Sequence, residues 1–214
     1  MRQLTRPKQF GASVVEFTLS LTFLVPLLIG TLVFGFRLVR AQQTDQITRD
    51  LAHMYSRNTV GFNTIGATTE AQTLAGQFGL TSTGLSVVVF STIQIETSAA
   101  CVAAVGNPNC PNVNLPVFVE QVAIGNTSAN ASPFGTPTSN GTLPATTGVS
   151  NNYSTTVSAT AQANNSWAVA HNFNSVLALN AGEVTYMAEM FNNTPELSVA
   201  GLTGAPQVYS RAIF

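Results

Sequence analysis

The chain has 214 residues and only 8% are charged: eight Lys or Arg against nine Asp or Glu, a net charge of −1. Soluble domains usually carry about 25%. The cations are Arg2, Arg6, Lys8, Arg37, Arg40, Arg49, Arg57 and Arg211, so residues 58–210 hold six glutamates and no Lys or Arg. That balance excludes a domain built to meet nucleic-acid phosphates, and it disfavours an anionic membrane surface for the same reason. The length fits one domain.

Residues 1–11 form a short basic head. Residues 11–36, GASVVEFTLSLTFLVPLLIGTLVFGF, are almost wholly apolar and long enough to span a bilayer as a helix. The apolar run exceeds the usual core of a secretory signal peptide, and no A-x-A-like site follows it. The one charge within it, Glu16, sits near its start, where an ionised side chain in hydrocarbon costs about 3 kcal/mol or more. Positive charge at Arg2, Arg6 and Lys8 before the span, against Arg37 and Arg40 after it, slightly favours a C-terminal domain outside the cytoplasm. Beyond Arg40, the spacing of Ile47, Leu51, Met54 and Tyr55 predicts one face of an amphipathic helix over 37–60. Pro26 is expected to kink the helix, and Gly30 and Gly35 to admit close neighbours.

The remainder, 61–214, reads as an α+β domain. A short helix is expected at 68–78, ended by Gly79. Residues 85–97 are the clearest strand, with Leu85, Val87, Val89, Ile93 and Ile95 on one face and Ser86, Thr92, Gln94 and Glu96 on the other. A second strand is expected at 115–124. Between them Cys101 and Cys110 bracket Gly106-Asn107-Pro108-Asn109, a turn that would bring them together. Outside the cytoplasm a disulfide is the default; a cytoplasmic placement would leave two thiols. Residues 125–165 are dominated by Ser, Thr, Asn, Ala, Gly and Pro and read as a flexible insertion, with a strand near 153–160. Asn-x-Ser/Thr triplets there, such as Asn130-Ala131-Ser132 and Asn140-Gly141-Thr142, follow from composition. Residues 167–179 are expected as a helix with Val169, Phe173, Val176 and Leu177 on one face. Residues 183–191 return to strand period, with Val184, Tyr186, Ala188 and Met190 opposite Glu183, Thr185, Met187, Glu189 and Phe191, and Pro195 ends them. Residues 207–214 form a last strand. One antiparallel sheet, its apolar face covering the helix stripe, accommodates these elements.

The chain lacks G-x-S-x-G, H-E-x-x-H, C-x-x-C and a glycine-rich phosphate loop, so neither an enzyme nor a metal or cofactor site is expected. Asp50 and His53 are within reach on a helix, but without a nucleophile they read as a surface pair. Glu183 and Glu189 are about 20 Å apart along a strand, too far for a glycosidase pair, and a solvated or family-structural role is expected. His171 reads as a surface residue and Trp167 as a core or edge aromatic.

The basic head, Gly11, Ala12 and Glu16 at the fifth place of an apolar helix resemble the processing site of type IV prepilins. Val14-Val15-Glu16-Phe17 and Pro26 make the helix most similar to the TadE-like family of tight-adherence pilus proteins. The resemblance covers about the first 60 residues and returns weakly at GEVTYMAEMF. It implies cleavage after Gly11 by a prepilin peptidase, residence in the inner membrane with an extracytoplasmic domain, and incorporation in a surface pilus. It also implies partners: other minor pilins, the major pilin and the inner-membrane assembly machinery. The chain is longer than such a major pilin, so a minor pilin or pseudopilin is expected. Cleavage would free an amine at Ala12, one turn from Glu16, able to neutralise it during assembly. The alternative is a single-span membrane-anchored envelope protein with an extracytoplasmic binding domain.

Overall fold

The structure is a computed structural model and describes residues 10–57, 71–81, 83–137, 153–194 and 207–214. The basic head, the start of the helix expected at 68–78, the Asn140 triplet and Pro195 lie outside those residues. The fold is α+β: one long N-terminal helix and an antiparallel five-stranded sheet.

Helix α1, Phe10–Ser56, runs 47 residues through Pro26, about 70 Å at 1.5 Å per residue. Helix α2 is described over 71–75. It passes into a 3-10 turn, Gly76–Phe78, and Gly79 caps it in the left-handed region at φ 70°, a conformation that favours glycine. Strand β1 is Ser86–Ile95, helix α3 is Ser98–Val105, and strand β2 is Pro116–Gly125. Strand β3, Tyr153–Thr156, precedes helix α4, Ala159–Asn164, and strands β4, Val184–Asn193, and β5, Gln207–Ile213, complete the chain.

The sheet order is β3-β2-β1-β4-β5, with every pair antiparallel. The central position of β1 follows from its composition, since both its faces are apolar. Its pairing with β2 slips by one residue between Thr92 and Ile93, a bulge that bends the strand. At Gly125, φ is 110° and a Cβ would lie 2.4 Å from the Ser86 carbonyl oxygen, so only glycine lets β2 turn off so close to β1.

Which face of β1 meets α1 differs from expectation. Val88 and Phe90, with Val122, Ile124, Ala188, Met190 and Ala212, form one cluster with Leu51, Ala52 and Tyr55 of α1. The series Val87, Val89 and Ile93 lies on the other face, against Ala123 and Phe191 and against Phe118 and Met187. The parity expected for β4 holds: Ala188 and Met190 share the helix-facing core, and Met187 and Phe191 lie opposite.

The second face is covered by the region expected to be a flexible insertion. Over its described parts, that expectation is corrected. Phe134, Val157 and Ala161 are buried with Ile93, Phe118 and Phe173, and the Phe134 and Phe173 rings meet edge to face at 5.4 Å. Small side chains let the backbone lie flat on the sheet, and amides satisfy it there: Asn112 Nδ2 donates to the carbonyls of Gln162 and Asn165. The strand expected near 153–160 ends at Thr156, where Ser158 takes over as N-cap of α4, its hydroxyl accepting from Ala161 N–H. The helix expected at 167–179 is instead two 3-10 turns, Ser166–Ala168 and Phe173–Ser175. Ala170 N–H donates to Pro116 O and His171 N–H to Phe134 O, so these amides bond across the fold, and Asn172 at φ 58° breaks any helical path.

Candidate functional site: the bare half of the long helix

Helix α1 has two unlike halves. Residues 13–36 are exposed on nearly every side, with Phe17, Phe23, Leu27 and Phe34 each at least 66% accessible. A helix apolar all round needs an apolar surrounding. By length and composition this one can cross a membrane. Two of its hydroxyls are internally served: Thr18 and Thr22 donate to the carbonyls four residues back, both at 2.8 Å, which spares them hydrocarbon. A Cβ at Gly30 or Gly35 would meet nothing within 4 Å, leaving both as open notches. Gly11 and Ala12 lie in the first helical turn. Glu16 is exposed and makes no hydrogen bond or ion pair among the described residues.

The second half is docked. Thr44, Thr48, Leu51, Ala52 and Tyr55 are buried, and Ile47 and Met54 pack at their margin. The expected stripe of Ile47, Leu51, Met54 and Tyr55 is therefore the one that faces the sheet, widened by two threonines whose hydroxyls bond back to Arg40 O and Thr44 O. The Tyr55 hydroxyl shares a 2.7 Å hydrogen bond with Thr92 Oγ1, and its ring meets Tyr186 edge to face at 5.6 Å. Burial pushes its phenol well above the ordinary range. Ser210 Oγ donates to Asp45 Oδ1 at 3.1 Å, while Asp45 pairs with Arg49 at 3.0 Å. Asp50 and His53 are not joined: His53 lies against the Phe214 ring, centroids 4.0 Å apart. His171 is exposed and Trp167 is half-buried at the edge of the second core cluster.

Cys101 and Cys110 form a disulfide, Cα atoms 6.1 Å apart. The intervening chain is more than a turn. Cys101 lies in α3, which Thr97 caps by accepting from Ala100 N–H at 3.0 Å, and Gly106 closes the helix before the chain returns to Cys110. The bond staples α3 to the loop leading into β2, with Ala163 of α4 against it.

Of the solvated and structural roles expected for Glu189, the solvated one does not hold. Glu189 is fully buried, accepts from the Tyr209 hydroxyl at 2.6 Å and lies near Arg211 and Ser132. Its Oε2 has no hydrogen-bond partner among the described residues. Burial pushes its carboxyl up, against the opposing effect of Ser132, Tyr209 and Arg211, and burial likewise raises Glu96 and Glu120. The signal for Glu189 lay in its parity, which it shares with Met187 and Phe191. Glu183, by contrast, is exposed and accepts from Asn180 N–H and Nδ2 at 2.8 and 3.2 Å.

Among the described residues no three His, Cys, Asp or Glu side chains cluster to hold a metal. No family model, curated protein or solved structure matches this chain.

Proposed function

We propose that this protein is a TadE-like minor pilin or pseudopilin of a tight-adherence type IV pilus system, held in the inner membrane by α1 with its sheet domain outside the cytoplasm. The observation that carries the reading is the single unbroken helix, bare over its apolar half and docked over the other. Such a subunit can wait in a bilayer and then exchange lipid for neighbouring helices without refolding its domain. A prepilin peptidase would cut between Gly11 and Ala12, and the partners would be other minor pilins, the major pilin and the inner-membrane assembly machinery. The protein would act as a subunit rather than a catalyst.

Glu16 supports the same reading, because an exposed carboxylate within an apolar surface calls for a partner from outside the chain's described residues. The amine freed at Ala12, on its own or a neighbouring subunit, is the natural counter-charge and would fix axial register. The test is recovery of Glu16→Ala in fibres sheared from the cell surface, read by mass spectrometry beside the membrane fraction. The variant is expected to keep its membrane level and cleavage but fall in the fibre fraction. Equal recovery in both fractions would favour a single-span envelope anchor with a binding domain.

A further inference from the structure

The domain is attached to the apolar half of α1 without a linker, and the described residues at its near end are uncharged. On the sheet side of α1, Arg37, Arg40 and Ala41 are already half-covered, one, four and five residues beyond the last exposed aromatic, Phe36. The Arg40 guanidinium lies over the Phe78 ring, 5.3 Å from its centroid. Phe78 in turn is tied to the near end of the sheet, because its carbonyl accepts from Ser86 Oγ at 2.7 Å.

From Ser86 a belt of amides runs across that end. Ser86 Oγ also lies 3.0 Å from the Asn192 side-chain amide, Asn126 Nδ2 donates to Gly84 O and Asn193 N–H to Leu85 O, while Asn193 pairs with Gln207 and Gln207 bonds Asn130. None of these residues is charged. Leu85 is 41% accessible and Ser128 beside the belt is exposed.

The height of this belt is set by α1. From Phe36 to Arg40 is four residues, about 6 Å of helix, the thickness of one headgroup layer at about 5–8 Å. If residues 13–36 fill the hydrocarbon, Arg40 and Phe78 stand among the headgroups and the belt stands with them.

We propose that this near end of the domain, marked by Phe78, Leu85, Asn126, Asn192 and Gln207, lies in the phospholipid headgroup layer, with Arg37 and Arg40 placed to meet lipid phosphates. The reading of 13–36 as a membrane span underlies it. The glutamates among the described residues do not oppose it. Glu96 and Glu183 lie at the other end of β1, where Ile95 N–H donates to Glu183 O, about 30 Å away and beyond the Debye length of about 8 Å. Glu189 lies three residues inside the belt and Glu120 six, at least about 10 Å inward. The surface disfavoured for an acidic domain as a whole is thereby offered an end whose described residues are neutral. Arginine stems over apolar surface with their heads at phosphate level are the usual interfacial arrangement.

The test uses the full chain in phosphatidylcholine vesicles, labelled with an environment-sensitive fluorophore at single introduced cysteines, without reductant so that Cys101–Cys110 stays closed. Leu28→Cys reports the span, Leu85→Cys and Ser128→Cys the near end, and Val102→Cys the far end. A nitroxide on the lipid headgroup should quench both near-end labels severalfold more than Val102→Cys, and an acyl-chain nitroxide should quench Leu28→Cys. Near-end labels quenched no more than Val102→Cys, with Leu28→Cys still quenched, would overturn the headgroup contact alone. Loss of quenching at Leu28→Cys would overturn the span reading and this proposal with it. Two near-end positions keep the test decisive if one variant misfolds.

Discussion

The two halves of α1 share one backbone and differ in what their side chains demand. Residues 13–36 present apolar groups in every direction, and no described part of the chain covers them. Residues 37–56 confine burial to a stripe, and the sheet covers that stripe. The helix therefore does not choose its partner; the angular distribution of its apolar groups does. A stripe suits a sheet face, whereas a full apolar circumference can be satisfied only by lipid or by several helices at once.

The sharpest way to break this comparison is to truncate one residue in each half. Leu51→Ala removes a fully buried side chain and should destabilise the domain by about 2–5 kcal/mol, read by chemical denaturation in detergent. Phe23→Ala, at 74% accessibility, should leave domain stability unchanged. Equal losses would mean that the bare half packs against the domain in solution.

A smaller effect is expected at the far end. The disulfide closes a short loop across a sequence separation of 9, and replacing both cysteines by serine should cost about 2–3 kcal/mol on the chain-entropy account. Non-reducing peptide mapping should recover the fragments bearing Cys101 and Cys110 linked, and free alkylation of both without reductant would contradict the pairing.

Smaller again is the contribution of the Glu189–Tyr209 bond. Tyr209→Phe leaves a buried carboxylate short of its donor and should cost about 1–3 kcal/mol at neutral pH. Burial raises Glu189, Glu96 and Glu120 above the ordinary value of 4.5, so the native state holds protons that the unfolded chain has released. The contribution of these three groups to stability is then greatest below about 4.5 and is lost as pH rises through the higher native values. Glu189→Gln should flatten that dependence in pH-resolved denaturation; an unchanged slope would remove Glu189 as its source.

Much of this architecture was legible because periodicity reports burial directly. Ile47, Leu51, Met54 and Tyr55 marked the docked stripe, Gly79 the helix stop, and the strands from β1 to β5 appeared within a few residues of their ends. The far layer was not legible, because its core is made of alanines and scattered aromatics in a Ser/Thr/Asn-rich background. Phe134, Ala161, Ala168 and Phe173 follow no single period, and their contacts come from distant parts of the chain. The face of β1 that meets α1 was missed for a related reason. Val88 and Phe90 are as apolar as Val87 and Val89, so alternation alone could not rank the faces. Of the candidate site, the bare helix and Glu16 were visible in full, whereas burial of Glu189 needed the sheet's second cover.

The central claim is that the bare half of α1 belongs to a processed subunit, and terminal-peptide mass spectrometry of the membrane protein from its native host tests it most directly. The account predicts a mature chain beginning at Ala12, with the basic head removed after Gly11. A mature chain that still begins at Met1 or Arg2 would contradict it.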